Sequence, residues 1–272
     1  MLDTQTSPAF GYNLPVGPPA PLLASRVEGA GRTDVGVRRK QNQDAFLLRP
    51  KLGVFAVADG MGGAPAGDVA AAMVLARVHA AFLAESTARA AGSASGPRTS
   101  ATLMVDAIQR ANLSILAKGR RSPCMRGMGT TFAGVVVDGG RVTIAHVGDS
   151  RVYRLRGRTL APLTTDHTVV SELGEAGWSR EMLVRSGFSG MLTRAVGTGD
   201  ALTVDVWSCD AFPGDTFLVS SDGLHEVVGA DGIRSILLRH ADLAQACDAL
   251  IKEANLCGGP DNVTAVLVRF LA

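Results

Sequence analysis

Five aspartates stand where apolar, β-type runs meet turns, and their placement carries the chain's first chemical signal. Phe55-Ala56-Val57-Ala58 leads into Asp59-Gly60, and Ile144-Ala145-His146-Val147 into Gly148-Asp149-Ser150. Phe217-Leu218-Val219-Ser220-Ser221 leads into Asp222-Gly223, and Asp261-Asn262 precedes Val263-Thr264-Ala265-Val266-Leu267-Val268. Asp44 borders a similar segment. Any single Asp-Gly is ordinary turn chemistry. Carboxylates at several strand ends, however, can converge on one point of a sheet sandwich. They then repel one another and call for cations, and an all-oxygen ligand set favours Mg²⁺ or Mn²⁺. Several of these acids are followed by a small residue that permits close backbone approach. The basic run Arg38-Arg39-Lys40 lies just before Asp44. In isolation such a triplet reads as a solvated surface. Beside carboxylates, a guanidinium can hold phosphate oxygens through its paired donors. Together these residues point to metal-assisted hydrolysis of a phosphoryl group.

The elements that must position them can be read from periodicity and turn residues. The spacing predicts a buried strand over 54–58 and a helix opening at Gly67-Asp68, with Val69, Met73, Val74, Val78 and Phe82 inward. A second helix is expected over 103–116, after a small-residue loop at 91–100. Strands at 131–137 and 141–147 flank the hairpin signal Asp138-Gly139-Gly140, and strands at 151–155 and 159–163 flank Arg156-Gly157-Arg158. A short helix over 166–176 takes Asp166 as its N-cap, and 175–191 reads as a mobile flap. A strand over 215–220, a helix over 241–256 and a closing strand over 263–271 complete the chain. Leu243, Ala246, Cys247, Leu250 and Ile251 mark the inner face of that helix. Helix pairs with many antiparallel strands indicate an α+β layered sandwich. Residues 1–23, rich in Pro and Gly, read as a flexible tail, and 24–272 as one folded domain.

Composition bounds the function. Of 272 residues, 46% are hydrophobic and 19% charged, enough for a sizeable core. The net charge of +2 argues against nucleic acid or an anionic membrane as the main partner. The four cysteines, Cys124, Cys209, Cys247 and Cys257, form no Cys-x-x-Cys pair, which removes zinc and thioredoxin readings and fits a reducing compartment. No signal peptide is visible at Met1-Leu2-Asp3-Thr4, and charges interrupt the apolar stretch 52–83. The expectation is a cytoplasmic protein. No histidine pair has metal-ligand spacing. His146 reads as a packed structural residue, and His167 as partly exposed beside the helix start.

An ordered set of motifs resembles the metal-dependent protein phosphatases (the PPM, or type 2C, serine/threonine phosphatases) in their bacterial form. The set runs Thr33-Asp34-Val35-Gly36, Arg39-x-x-Asn42-Gln43-Asp44, Asp59-Gly60-Met61-Gly62-Gly63, Gly129-Thr130-Thr131 and Gly148-Asp149-Ser150-Arg151. It continues through Leu192-Thr193-Arg194-Ala195-Val196-Gly197, Ser221-Asp222-Gly223-Leu224 and Gly259-Pro260-Asp261-Asn262. The resemblance implies a four-layer sandwich of two antiparallel β-sheets flanked by antiparallel helix pairs. It implies hydrolysis of phosphoserine and phosphothreonine by attack of a metal-bridging hydroxide, with no covalent enzyme intermediate. By the same resemblance Asp59 bridges two Mn²⁺ or Mg²⁺ ions, the Gly60 carbonyl binds one, and Asp222 and Asp261 ligate the other. Asp44 acts through metal-bound water, Arg39 binds the phosphate, and Asp149 serves a third metal. The implied partner is a phosphorylated protein, either a serine/threonine kinase or its target, met by a monomer. The chain departs from the pattern at Met61, where animal and plant members often carry His, at Gln43 and Asp68 for Glu, at Ala64 for His, and at Glu226 for Asp.

Overall fold

The computed structural model describes residues 27–61, 66–92, 98–188 and 190–271. The proposed tail 1–23, the start of the expected domain at 24–26, Gly62-Gly63 and Ala64 lie outside the described residues. Among the described residues, ten strands form two antiparallel sheets of five. One sheet takes the order β1 (Val27–Asp34), β10 (Val263–Phe270), β9 (Thr216–Ser220), β6 (Arg151–Arg156), β7 (Thr159–Pro162). The other runs β2 (Asp44–Arg49), β3 (Val54–Asp59), β4 (Phe132–Asp138), β5 (Arg141–Val147), β8 (Asp205–Asp210). Helices α1 (Gly67–Ala90) and α2 (Ser100–Arg121) cover the β3 sheet; α5 (Asp222–Arg239) and α6 (Leu243–Leu256) cover the β10 sheet. Two short helices, α3 (Val169–Glu175) and α4 (Arg180–Ser186), lie between β7 and β8.

The central strands are apolar on both faces because both faces are buried. On β3, Val54, Ala56 and Ala58 turn toward α1 and α2, while Phe55 and Val57 turn between the sheets. On β10, Val263, Ala265 and Leu267 meet α5 and α6, while Val266, Val268 and Phe270 enter the layer between the sheets. Two-faced burial explains why these segments read as continuous apolar runs rather than alternations. Helix α1 is long and apolar enough in composition to cross a membrane. Here it is a core helix, burying Ala70, Ala71, Val74, Leu75, Val78 and Phe82 in the layer shared with α2 and the β3 sheet.

The expected strands and the long helices corresponding to α1, α2 and α6 are present, with some differences. Helix α2 extends beyond both expected ends, capped by Thr99, whose Oγ1 accepts from the Thr102 N–H at 3.1 Å. The helix expected from Asp166 starts three residues later and is capped by Thr168. Asp166 is instead held in a two-point ion pair with Arg151, at 2.8 and 2.6 Å. The expected flap contains helix α4, capped by Ser179. His167 is buried rather than partly exposed. Strands β1, β2 and β8 and helix α5 add to the expected elements, and α5 is broken at Gly229, whose φ of 68° departs from the helix.

The layer between the sheets is the joint that holds both halves of the site. Phe217 is fully buried there, with its ring 6.0 Å from that of Phe270. Phe217→Ala is expected to cost about 3–5 kcal/mol of stability, read from urea unfolding. A loss below about 1 kcal/mol would contradict a close-packed inter-sheet core.

Candidate metal and phosphate site

Strand polarity brings the acids together. β3 and β5 are both antiparallel to β4, so their C-terminal ends, Asp59 and the Gly148-Asp149 turn, emerge at the same end of their sheet. Asp44 opens β2 directly opposite Asp59 in register. In the other sheet, β9 ends just before Asp222 and its antiparallel neighbour β10 begins just after Asp261-Asn262. Asp59, Asp149, Asp222 and Asp261 line one cavity of about 240 Å³, with Met61, Thr131, Gly190 and Leu192. Asp44 lies behind it, buried. Arg39 reaches the rim, its guanidinium 2.6 Å from Asp261 Oδ2. All five predicted aspartates and the arginine therefore come to one end of the sandwich. Gly60 follows Asp59, donates its N–H to the Gln43 carbonyl at 3.1 Å, and passes so close to Gly67 that a Cβ would sit 2.3 Å from the Gly67 carbonyl carbon.

A polar scaffold fixes these groups. Asp44 Oδ2 accepts from Ser221 Oγ at 2.7 Å and from Thr264 Oγ1 at 2.6 Å. Thr264 Oγ1 in turn lies 2.7 Å from Thr33 Oγ1, which accepts from Asn42 Nδ2 at 2.8 Å. Asn262 staples the basic segment: its Nδ2 donates to the carbonyls of Val35 and Gln41, both at 2.9 Å, and its Oδ1 accepts from the Gln43 N–H at 2.8 Å. Thr131 Oγ1 accepts from the Asp59 N–H at 3.0 Å and meets Ser150 Oγ at 2.7 Å. Close backbone approach matters at two further glycines. A Cβ on Gly36, whose φ is 79°, would lie 2.1 Å from the Asp261 carbonyl oxygen, and one on Gly223 would lie 2.0 Å from that of Asn262. Sequence reading did not assign roles to Ser221, Thr264 and Asn262. They sit inside or beside the quoted motifs, which was the only signal available.

Electrostatics shows what the cavity lacks. Burial pushes the Asp59 carboxyl far above the ordinary carboxylate range, and the charges of Asp44, Asp222 and Asp149 add to the rise. Asp149 is raised to about 7, by burial and then by Asp222 and Asp166. Asp222 is raised to about 6, by burial and then by Asp261. Asp44 is raised because burial outweighs its hydroxyl donors. Asp44 Oδ1 and Asp222 Oδ1 are buried with no hydrogen-bond partner among the described residues. Buried acceptors of this kind are costly unless something positive meets them. The donor set is all oxygen, the choice of hard divalent cations, so the residues fit Mg²⁺ or Mn²⁺. Glu226 stands one turn after Asp222 on α5, its carboxyl pushed up by burial and then by Asp222. Asp68 accepts from Gln41 Nε2 at 3.2 Å. His146 is a packed core residue, as expected, with its ring driven down to about 3 chiefly by burial.

A two-sheet sandwich delivering an acidic, all-oxygen cavity beside an arginine is the frame of a metal-dependent phosphohydrolase. The sequence profile of the family "protein phosphatase 2C" matches residues 36–272. A serine/threonine phosphatase, stp, from Listeria welshimeri is 35% identical over 242 residues, spanning 88% of this chain and 94% of the relative. The Mycobacterium tuberculosis serine/threonine phosphatase PstP superposes with a TM-score of 0.79 at 30% identity, over 90% of this chain and 99% of that structure. A structure of the PstP catalytic domain in complex with two manganese ions gives 0.77 at 30% identity, over 90% and 99%. The chain belongs to the protein phosphatase 2C family.

The raised carboxyls have a measurable consequence. In EDTA the unfolded chain loses these protons first, near 3.8, while the folded chain keeps them until about 6 at Asp222 and about 7 at Asp149. The stability they supply is therefore complete at low pH and is lost as pH rises through that window. Cations reverse the preference by favouring the ionised forms. The gap in urea midpoint between Mn²⁺ and EDTA samples is expected to widen from about pH 5 to about pH 8. A gap that narrows with rising pH would contradict the cluster as described.

Proposed function

We propose that this chain removes phosphate from phosphoserine and phosphothreonine of a protein substrate, with Asp59, the Gly60 carbonyl, Asp222 and Asp261 holding two Mn²⁺ or Mg²⁺ ions and Asp149 serving a third. The observation that carries the reading is the pair of orphaned carboxylate oxygens, Asp44 Oδ1 and Asp222 Oδ1, behind and within a buried acidic cavity. When bound, the cations supply charge neutralisation and an activated water.

The chain's own groups do the rest. Ser221 and Thr264 hold one oxygen of Asp44, leaving the other to orient water. Asn262 fixes the segment bearing Arg39, and Asp261 holds the guanidinium at the rim, where its planar donors can take the phosphoryl oxygens. Met61 and Leu192 give the cavity an apolar wall. Met61 offers no proton, and among the described residues no histidine lines the cavity. A phosphoryl group is negative and is repelled by the cavity's carboxylates, so it can enter only when cations neutralise them. That dependence is the sense in which this is a metal-dependent phosphatase. The substrate is the product of a serine/threonine kinase, which this enzyme opposes. We place the protein in the cytoplasm as a monomer, acting on neither nucleic acid nor membrane.

Purified protein is expected to release phosphate from a phosphothreonine peptide with Mn²⁺ or Mg²⁺ and not with EDTA. Asp222→Asn is expected to abolish turnover with the fold intact by circular dichroism. Arg39→Lys is expected to raise KM, because an ammonium lacks the bidentate fork. Turnover by Asp222→Asn at the wild-type rate would sink the metal assignment. No release by folded wild-type protein with either metal would make the chain a phosphoprotein-binding module instead.

A further inference from the structure

Behind the Asp149 turn lies a polar cluster that the catalytic reading leaves unused. His146, His167 and Asp205 bring nitrogen and oxygen atoms within 4.8 Å of one another. The grouping has the composition of a metal site, but its hydrogen bonds argue otherwise. The Gly148 N–H donates to His167 Nδ1 at 3.0 Å, so that nitrogen must present a lone pair. In the neutral ring the proton then sits on Nε2, which lies 3.0 Å from Asp205 Oδ2 and donates to it. Both nitrogens of His167 are engaged, and neither is free for a metal. Asp205 Oδ1 accepts from Arg194 at 2.7 Å, which fixes the carboxylate. The His146 ring packs 4.6 Å from the His167 ring, with neither of its nitrogens hydrogen-bonded among the described residues.

The backbone of His167 works with its ring. Its N–H donates to the Gly148 carbonyl at 2.7 Å, so Gly148 is held at both polar groups by one residue. Gly148 has a φ of 106°, a left-handed turn that aims the next residue, Asp149, into the cavity. On its other side the His167 carbonyl accepts from the Thr193 N–H at 2.9 Å, and Thr168 bridges Leu192, which lines the same cavity. One buried histidine thus connects a cavity carboxylate, the cavity's apolar wall and the Arg194–Asp205 pair.

We propose that His167 is a positioning residue of this site: as an Nδ1 acceptor braced by Asp205 and Arg194, it clamps Gly148 and thereby sets the placement of Asp149 toward its cation. The inference rests on the metal-dependent reading above. Replacing a group that orients a ligand in this way typically weakens metal binding by about 10–100-fold.

The test uses full-length protein and Mn²⁺ titration by calorimetry and electron paramagnetic resonance, alongside peptide kinetics. His167→Asn places an amide oxygen where Nδ1 was and keeps the Gly148 clamp. His167→Gln reaches Asp205 but loses it. The expected result is that His167→Gln binds its most weakly held Mn²⁺ about 10-fold less tightly or worse, while His167→Asn stays near wild type. Asp205→Asn is expected to weaken the same ion without touching Gly148. His167 and Arg194 meet different oxygens of Asp205, so the one amide oxygen can serve only one of them: with the oxygen kept on Arg194, the amide N–H faces Nε2 and forces the ring proton onto Nδ1. Equal Mn²⁺ binding in wild type and His167→Gln, or equal losses in the Gln and Asn variants, would overturn the proposal. Should the Gln variant fail to fold, ¹⁵N shifts of the wild-type imidazole decide: an Nδ1–H ring overturns the clamp, and an Nε2–H ring supports it. A wild-type protein that binds no Mn²⁺ removes the metal reading itself, and the clamp's role with it.

Discussion

Mutual repulsion among buried carboxylates is the constraint around which this molecule is organised. Two unit charges about 4 Å apart repel by about 4 kcal/mol at an effective dielectric near 20, a sizeable share of a domain's net stability. Asp44, Asp59, Asp149, Asp222 and Asp261 nevertheless share one end of the sandwich. Something must hold them there while cations are absent, and the two-sheet core does so. Each sheet contributes part of the cluster, so the apolar layer joining the sheets keeps Asp59 and Asp149 facing Asp222 and Asp261. Packing between Phe55, Val57, Phe217, Val219 and Val266 is thus also the force opposing the acids' separation.

Two devices refine that placement. The first is the missing side chain: Gly36 and Gly223 let backbone come within contact of the Asp261-Asn262 turn, and Gly60 lets the Asp59 turn lie on the start of α1. The second is the neutral hydrogen-bond donor. Hydroxyls of Ser221 and Thr264 and the backbone N–H of Asn262 stabilise carboxylate oxygens without adding a formal charge. A lysine in their place would neutralise the acid and compete with any cation. Arg39 is the exception, and it stands at the rim, where it is partly exposed and paired with Asp261.

These features were unequally visible in the sequence. Strand ends bearing Asp59, Asp149 and Asp222 were legible because β3, β5 and β9 are buried on both faces and read as largely apolar, β-type runs. Strand β1 was not, because its core contacts are made around Gly29 and Gly31, whose missing side chains admit Phe55 and Phe46. Strand β8 is partly exposed along its length at a sheet edge and carries little apolar signal. Helix α5 lost its periodicity at Gly229. The error at Asp166 has a clear cause: a good local N-cap was outcompeted by Arg151, fifteen residues away in the sequence and adjacent in space. For the site, the acids could be picked out by type and position, but their partners could not. Ser221 and Thr264 meet Asp44 across 177 and 220 residues of chain, a separation no local pattern records.

The unfinished hydrogen bonding of the cavity is what makes it a binding site. A cluster in which every carboxylate oxygen found a donor within the chain would be a stable polar core with little to gain from a cation. Here one oxygen of Asp44 is held twice, while among the described residues its other oxygen and one buried oxygen of Asp222 meet no donor. The folded chain therefore carries an electrostatic cost that a divalent ion relieves, and relief on binding is affinity. Carboxyls pushed up by burial and by one another are the signature of the same cost. Stability in the metal-free protein and affinity for metal are consequently opposed in this fold. A substitution that satisfied Asp222 Oδ1 from within the chain would strengthen the empty protein by removing its reason to bind.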